Sequence, residues 1–255
     1  MDADTLTVSI AGRIGRLTLD RADKLNPLST HCLDELAAAA RWFDEQRDVR
    51  VVIVSGAGRA FCAGADLAGF TGPGDRDPRD AVDAGRVMVE SIERMRAVTI
   101  AAIHGHCIGG GVLLAMACDL RVAAESTNFV IPEVDLGIPL TWGGIPRLVR
   151  EIGAAATRDL VLSCRPFTAR EAHERGIATR MVADDDLDTE VEGLATSLAG
   201  KSAYTVHATL DAVDAAAEAL VPTGGAWSDA DQWMTAMRDP ESREVAARYL
   251  AERDR

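Results

Sequence analysis

Three short stretches of this chain carry residue types that could do chemistry together. Residues 59–67 (RAFCAGADL) are built mostly from small side chains and follow an apolar run. Small side chains let a ligand come close to the backbone and leave N–H groups free to donate. Residues 104–111 (HGHCIGGG) end in three glycines at the start of an apolar helical pattern. N–H groups at a helix start suit an anion or a developing oxyanion. Residues 129–137 (FVIPEVDLG) set Glu133 among apolar residues, beside a proline. A carboxyl in such surroundings has a raised pKa and can shuttle a proton. Each stretch alone also has a plainer reading: a tight surface turn, a close helix contact, an exposed loop acid.

The elements that must position these stretches can be read from periodicity. Residues 5–10 and 14–19 alternate around Ala11 and Gly12, which predicts a hairpin. Residues 26–30 break the strand and cap the next helix. Leu33, Leu36, Ala40 and Phe43 are spaced for that helix, amphipathic and running to about Gln46. Residues 50–55 form an apolar run ended by Gly56, hence a buried strand. Residues 69–81, rich in Gly, Pro and charge, read as an exposed, mobile loop. The helix after it has Val82, Val89, Ile92 and Met95 on its apolar side. Residues 99–103 and 119–123 are two further strands, with a helix from the glycine triplet to about Ala117 between them. This alternation predicts a parallel sheet or spiral with helices packed outside. Past Gly153 helical patterns dominate, and residues 177–182 are the one remaining strand candidate. Residues 201–255 lack the apolar surface for a private core, so they pack on the body or on a neighbouring subunit.

The chain has 255 residues and a net charge of −13, from 27 Lys and Arg against 40 Asp and Glu. An acidic surface argues against nucleic acid or an anionic membrane as partner. An anionic small ligand then needs cations placed locally. Aromatics are only 4%, so Ala, Val, Ile and Leu must build the core. The five cysteines, Cys32, Cys62, Cys107, Cys118 and Cys164, are scattered without CxxC spacing. That fits a reducing compartment, and neither a disulfide framework nor a zinc site. No apolar run reaches membrane-spanning length and the first residues lack a signal-peptide pattern. The simplest expectation is a soluble cytoplasmic protein.

In their order and spacing the three stretches resemble the signature of the crotonase (enoyl-CoA hydratase/isomerase) superfamily. Residues 19–28 (LDRADKLNPL) resemble its early strand-to-helix segment, and residues 143–148 (GGIPRL) extend a similarity that covers nearly the whole chain. The resemblance implies an α/β fold: a spiral of ββα repeats over residues 1–200, then a helical C-terminal region, residues 201–255, in subunit contacts. It also implies homotrimers or hexamers. The implied substrate is an acyl-coenzyme A thioester, with no separate cofactor and no metal. Carried over by position, the N–H groups of Ala65 and Gly110 form an oxyanion hole and Glu133 is the general acid/base. Ala63, Ala65, Asp66 and Leu67 border the coenzyme, and Arg21 and Lys24 lie near its phosphates. Two donors aimed at a thioester oxygen stabilise an enolate, and losing one such donor costs about 2.7–4 kcal/mol.

This chain departs from the family pattern in three places. Two-glutamate hydratases carry a second Glu two residues after the third glycine; here that residue is Leu113. The water-activating pair is incomplete, so the expectation leans to moving a double bond between the Δ3 and Δ2 positions, with single-glutamate hydration as the alternative. Trp142 stands where the family usually has a small residue between glycines, and a ring there trims the acyl pocket. Near the C-terminus, Tyr249 and Glu252, with Arg253 adjacent, replace a Phe and a Lys that often touch the coenzyme. Other residues read as structural. Asp135 shares a face with Glu133, but related proteins give an acid there no clear role. His104 and His106 flank a strand end and are expected to be hydrogen-bonded, and Cys62 and Cys107 have no base partner. An acyl-CoA-binding protein without turnover is the competing class; Glu133 favours the enzyme.

Overall fold

The structure, a computed structural model, describes residues 1–66 and 77–253. The alternating residues at the start form the antiparallel hairpin of β1 (Leu6–Ala11) and β2 (Ile14–Leu19). Ser29 then caps α1 (Thr30–Glu45), its side-chain oxygen accepting from the Cys32 N–H at 3.2 Å. The apolar stripe of α1 buries Leu33, Leu36, Ala40 and Phe43. Next in the chain are β3 (Val51–Gly56), α2 (Pro78–Glu93), β4 (Val98–Ile103), β5 (His106–Ile108), α3 (Gly110–Met116), β6 (Leu120–Ala124) and β7 (Asn128–Val130).

The turns of the spiral can be counted from the pairing. β2, β3, β4, β6 and β9 (Arg180–Val182) lie side by side and parallel, with β1 on the outer edge. Each long strand is followed by a short one in a second layer. β5 pairs parallel with β7, and β7 antiparallel with β8 (Phe167–Thr168). The same layer continues backwards through single bridges, Cys62 with Cys107 and Leu28 with Ala65. One long strand, one short strand and one helix per turn is the ββα repeat that the resemblance implied.

The large sheet is buried on both faces, as its unbroken apolar runs require. Val52, Val54, Ala101 and Ile103 face the helices α1 to α3. Val51, Ile53, Ile100 and Val122 face α6 (Leu187–Ala199) through Leu187, Val191 and Ala195.

Some expectations change in the structure. Of the loop expected over residues 69–81, residues 67–76 lie outside the described residues. Residues 78–81 are already helix, started by Pro78 with Asp77 accepting from the Arg79 N–H at 2.8 Å. The strand expected over residues 177–182 begins only at Arg180, and β8 precedes it. β5, β7 and β8 were not read from the sequence, because two or three residues show no period.

The helical remainder comprises α4 (Gly144–Ser163), α5 (Ala169–Arg175), α6, α7 (Ala203–Leu220), α8 (Asp229–Ala236) and α9 (Pro240–Arg253). None of the helices among the described residues is long and apolar enough to cross a membrane. α8 packs on the body, with Ala230 and Trp233 buried in the main core. α7 differs: it has no buried residue, and Tyr204, Val213 and Leu220 are exposed. Clefts of about 710 and 860 Å³ lie along it. An apolar face left open in this way is expected to meet another copy of the chain. Light scattering at micromolar concentration should give the mass of a trimer or hexamer; a monomer mass would contradict this.

Candidate active site

The three stretches converge on one small cavity. Ala65, Gly110, Leu113, Glu133 and Trp142 all line it, and Val82, Ile138, Leu140, Thr141 and Trp233 complete the wall.

Ala65 owes its position to backbone bonds on either side of it. Phe61 and Cys62 donate to the carbonyls of His104 and His106, at 2.8 and 2.9 Å. Ala63 then donates to Leu25, Leu28 to Gly64 and Asp66 to Leu28. In a parallel bridge the flanking residues make these bonds, so the N–H of Ala65 lies on the opposite edge. It has no acceptor among the described residues. Gly64 is required here: its φ is +93°, and a Cβ would lie 2.9 Å from the Ile108 carbonyl oxygen.

Gly110 opens α3. Gly109 before it donates to Val130 at 2.8 Å, and its carbonyl accepts from Val112 and Leu113. The first helical N–H, that of Gly110, finds no acceptor among the described residues. α3 spans only seven residues. The unpaired donor, more than any long dipole, is therefore what it offers.

Glu133 stands in a tight turn, its carbonyl accepting from Leu136 and Ile138 at 3.1 and 3.0 Å. The residue is half-buried as a whole, but its carboxyl is enclosed. Oε2 is shut off from solvent and has no hydrogen-bond partner among the described residues. Burial pushes the carboxyl from the ordinary range up to about 7, opposed only by a hydrogen bond from its own backbone N–H. The carboxyl reaches α3 because Gly109 has no side chain: a Cβ there would be 2.6 Å from Oε1. A buried base beside two unpaired N–H donors can remove a proton next to a carbonyl while the donors hold the resulting oxyanion.

Leu113 presents an apolar wall to the cavity, and among the described lining residues Glu133 alone carries a titratable side chain. Trp142 is buried, its indole Nε1–H donating to the Val82 carbonyl at 3.0 Å.

The family model described as enoyl-CoA hydratase/isomerase matches residues 9–254. The chain belongs to the enoyl-CoA hydratase/isomerase family. It is 36% identical over 225 residues to a probable enoyl-CoA hydratase of Mycobacterium tuberculosis, covering 88% of this chain and 86% of that one. It is 35% identical over 206 residues to a peroxisomal Delta(3,5)-Delta(2,4)-dienoyl-CoA isomerase of Arabidopsis thaliana, covering 76% and 74%. Among solved structures it resembles an enoyl-CoA hydratase of Bacillus anthracis, with a TM-score of 0.80, 30% identity, and coverage of 98% and 97%. The chain is thus an enzyme of the crotonase superfamily, with the superfamily's fold.

In this crotonase the remaining expected residues that are described do not line the cavity. Arg21 and Asp66 form an ion pair at 3.3 Å, beside the strip where residues 25–28 meet residues 63–66. Ala63 is half-buried in that strip, and Lys24 is exposed in the single turn that precedes it. Leu67 lies outside the described residues. Asp135 is exposed and does not line the cavity. His104 donates through Nε2 to the Gly58 carbonyl at 3.0 Å, a structural bond. Cys62 and Cys107 are buried, and burial pushes both thiols up, Cys62 to about 12. Neutral thiols of this kind pack and do not attack.

The sequence reading missed two residues. Asn26 is buried with φ +57°, and its Nδ2 donates to Ala57 and Ala60 at 2.9 and 2.8 Å. It ties the Arg21 loop to the Ala65 segment. Asn tolerates the left-handed conformation, and the Asn-Pro pair signalled a break without showing what it held. Trp233 closes the cavity from α8, and nothing in its own segment indicates where that helix docks.

Proposed function

We propose that this enzyme acts on an acyl-CoA thioester, holding the thioester oxygen with the N–H groups of Ala65 and Gly110 and moving a proton with Glu133. The observation that carries the reading is the buried Glu133 carboxyl, whose Oε2 has no hydrogen-bond partner among the described residues, in the same cavity as two backbone N–H groups without an acceptor among those residues. Coenzyme A enters as part of the substrate. Ala63, Asp66 and Leu67 border it, and Arg21 and Lys24 face its phosphates.

Within the family we favour Δ3–Δ2 enoyl-CoA isomerisation. Hydration needs one group to deprotonate water and another to deliver a proton to the α-carbon. With Leu113 opposite Glu133, one side of the water site is apolar and holds water poorly. Isomerisation asks less. Glu133 takes the proton from C2 of the 3-enoyl thioester, the electrons spread into the dienolate, and the protonated Glu133 returns the proton to C4. Hydration with a single glutamate is the second reading, and the Mycobacterium and Bacillus relatives are named hydratases. The two are separated by offering 3-enoyl- and 2-enoyl-CoA of matched chain length to the unmodified enzyme. Faster turnover of the 3-enoyl substrate is expected. Faster hydration of the 2-enoyl substrate would overturn the preference.

A further inference from the structure

Trp142 has a backbone that bulky residues rarely adopt, with φ at +58°. Such a conformation persists only where its surroundings impose it, and here they do so from several sides. Arg147, itself buried, donates to the carbonyl of Gly143 at 3.0 Å and to that of Trp142 at 3.5 Å. Its other terminal nitrogen pairs with Glu93 of α2. Asp229, at the start of α8, accepts from the Gly143 N–H at 2.8 Å. The indole Nε1–H is satisfied by Val82.

The ring also needs room, and Gly85 in the middle of α2 supplies it. A Cβ on Gly85 would lie 1.9 Å from the indole Cε2. Glycine is unfavourable inside a helix, so a close packing partner is the usual reason for one. The far edge of the ring reaches the oxyanion donor: a Cβ on Gly110 would be 2.4 Å from Cζ3. The cavity left beside Glu133 is about 30 Å³, room for one or two water molecules. An acyl chain extending past its first carbons meets the indole. Moving the indole means breaking its bond to Val82 or reopening a turn held by Arg147 and Asp229.

We propose that Trp142, seated on Gly85 and latched by Arg147 and Asp229, is the specificity-determining residue of this site and restricts it to short acyl chains. The proposal rests on the acyl-CoA reading above. Gly85, Arg147 and Asp229 are positioning residues that act through the ring. A single methylene without a place in an apolar pocket is discriminated against by about 10-fold or more, so a pocket this small should separate chain lengths sharply.

The test is calorimetric binding of CoA and of saturated thioesters from butyryl- to dodecanoyl-CoA to the full-length chain. The unmodified enzyme should bind butyryl-CoA at least about 10-fold more tightly than octanoyl-CoA. Trp142→Gly suits the left-handed backbone and should reverse that order. Asp229→Ala should shrink the ratio, and Asp229→Asn, which keeps an acceptor, should restore it. Should Trp142→Gly fail to fold, Gly85→Ala takes its place: the added methyl pushes the ring into the cavity and should weaken butyryl-CoA binding relative to CoA. An affinity that is flat or rising with chain length in the unmodified enzyme overturns the length limit alone. So does an unchanged ratio in Trp142→Gly, or an unchanged butyryl-CoA to CoA ratio in Gly85→Ala. Absence of binding by CoA and every thioester overturns the acyl-CoA reading and the length limit with it.

Discussion

Gly110→Val is expected to remove most of the turnover while leaving the fold in place. Gly110 is the first helical residue of α3 and its backbone is not left-handed, so a side chain causes no backbone strain. What it meets is the site. A Cβ would lie 2.4 Å from Trp142 Cζ3 and 3.3 Å from Leu28 Cδ1. The indole is already fixed on its other side by Gly85, so a displaced ring moves into the space reserved for the acyl group. The donor itself stays, but the oxygen it should bind no longer fits against it. Loss or misplacement of one oxyanion donor lowers kcat by about 10²–10³-fold. Turnover of an enoyl-CoA, read beside circular dichroism and a melting curve, checks the result. A folded variant working at the unmodified rate would remove Gly110 from the oxyanion hole.

Much of this architecture was legible because it rests on long periodic segments. Leu33, Leu36, Ala40 and Phe43 could face only one way, and the apolar runs of β3 and β4 could only be buried strands. The catalytic stretches were legible for a different reason: small residues, a glycine triplet and a carboxyl among apolar neighbours each state a chemical requirement. The short second layer was not legible. β5, β7 and β8 are defined by what they pair with, and Cys62 and Cys107 become a bridge only when the spiral stacks them. The same holds for the wall of the cavity. Trp142 was conspicuous in the sequence, but its seat on Gly85 and its latch to Asp229 join segments far apart in the chain. No local pattern records that Gly109 is a glycine because Glu133 needs the space.

Glu133→Gln is expected to cost about 10²–10⁴-fold in turnover while acyl-CoA binding survives, because shape is kept and the base is lost. The unmodified enzyme should also show a rising limb in kcat/KM as pH passes about 7, since Glu133 must be ionised to accept a proton. The same shift acts on stability, and its direction is set by the fold holding the proton more tightly than the unfolded chain does. The cost of ionising Glu133 is absent below about pH 4.5, grows up to about pH 7 and is fully present above it. At its full extent it is about 3 kcal/mol. The melting temperature of Glu133→Gln should therefore gain on that of the unmodified enzyme between those limits.

The most direct test of the central claim, that Glu133 and the two backbone donors make an enolate, is proton exchange without any completed reaction. A short saturated thioester such as butyryl-CoA can lose and regain its α-proton in the site but has no double bond to hydrate or shift. Incubated with the enzyme in heavy water and followed by proton NMR, its α-position should take up deuterium with the unmodified chain and stay protonated with Glu133→Gln. Exchange that continues undiminished in Glu133→Gln would contradict the account.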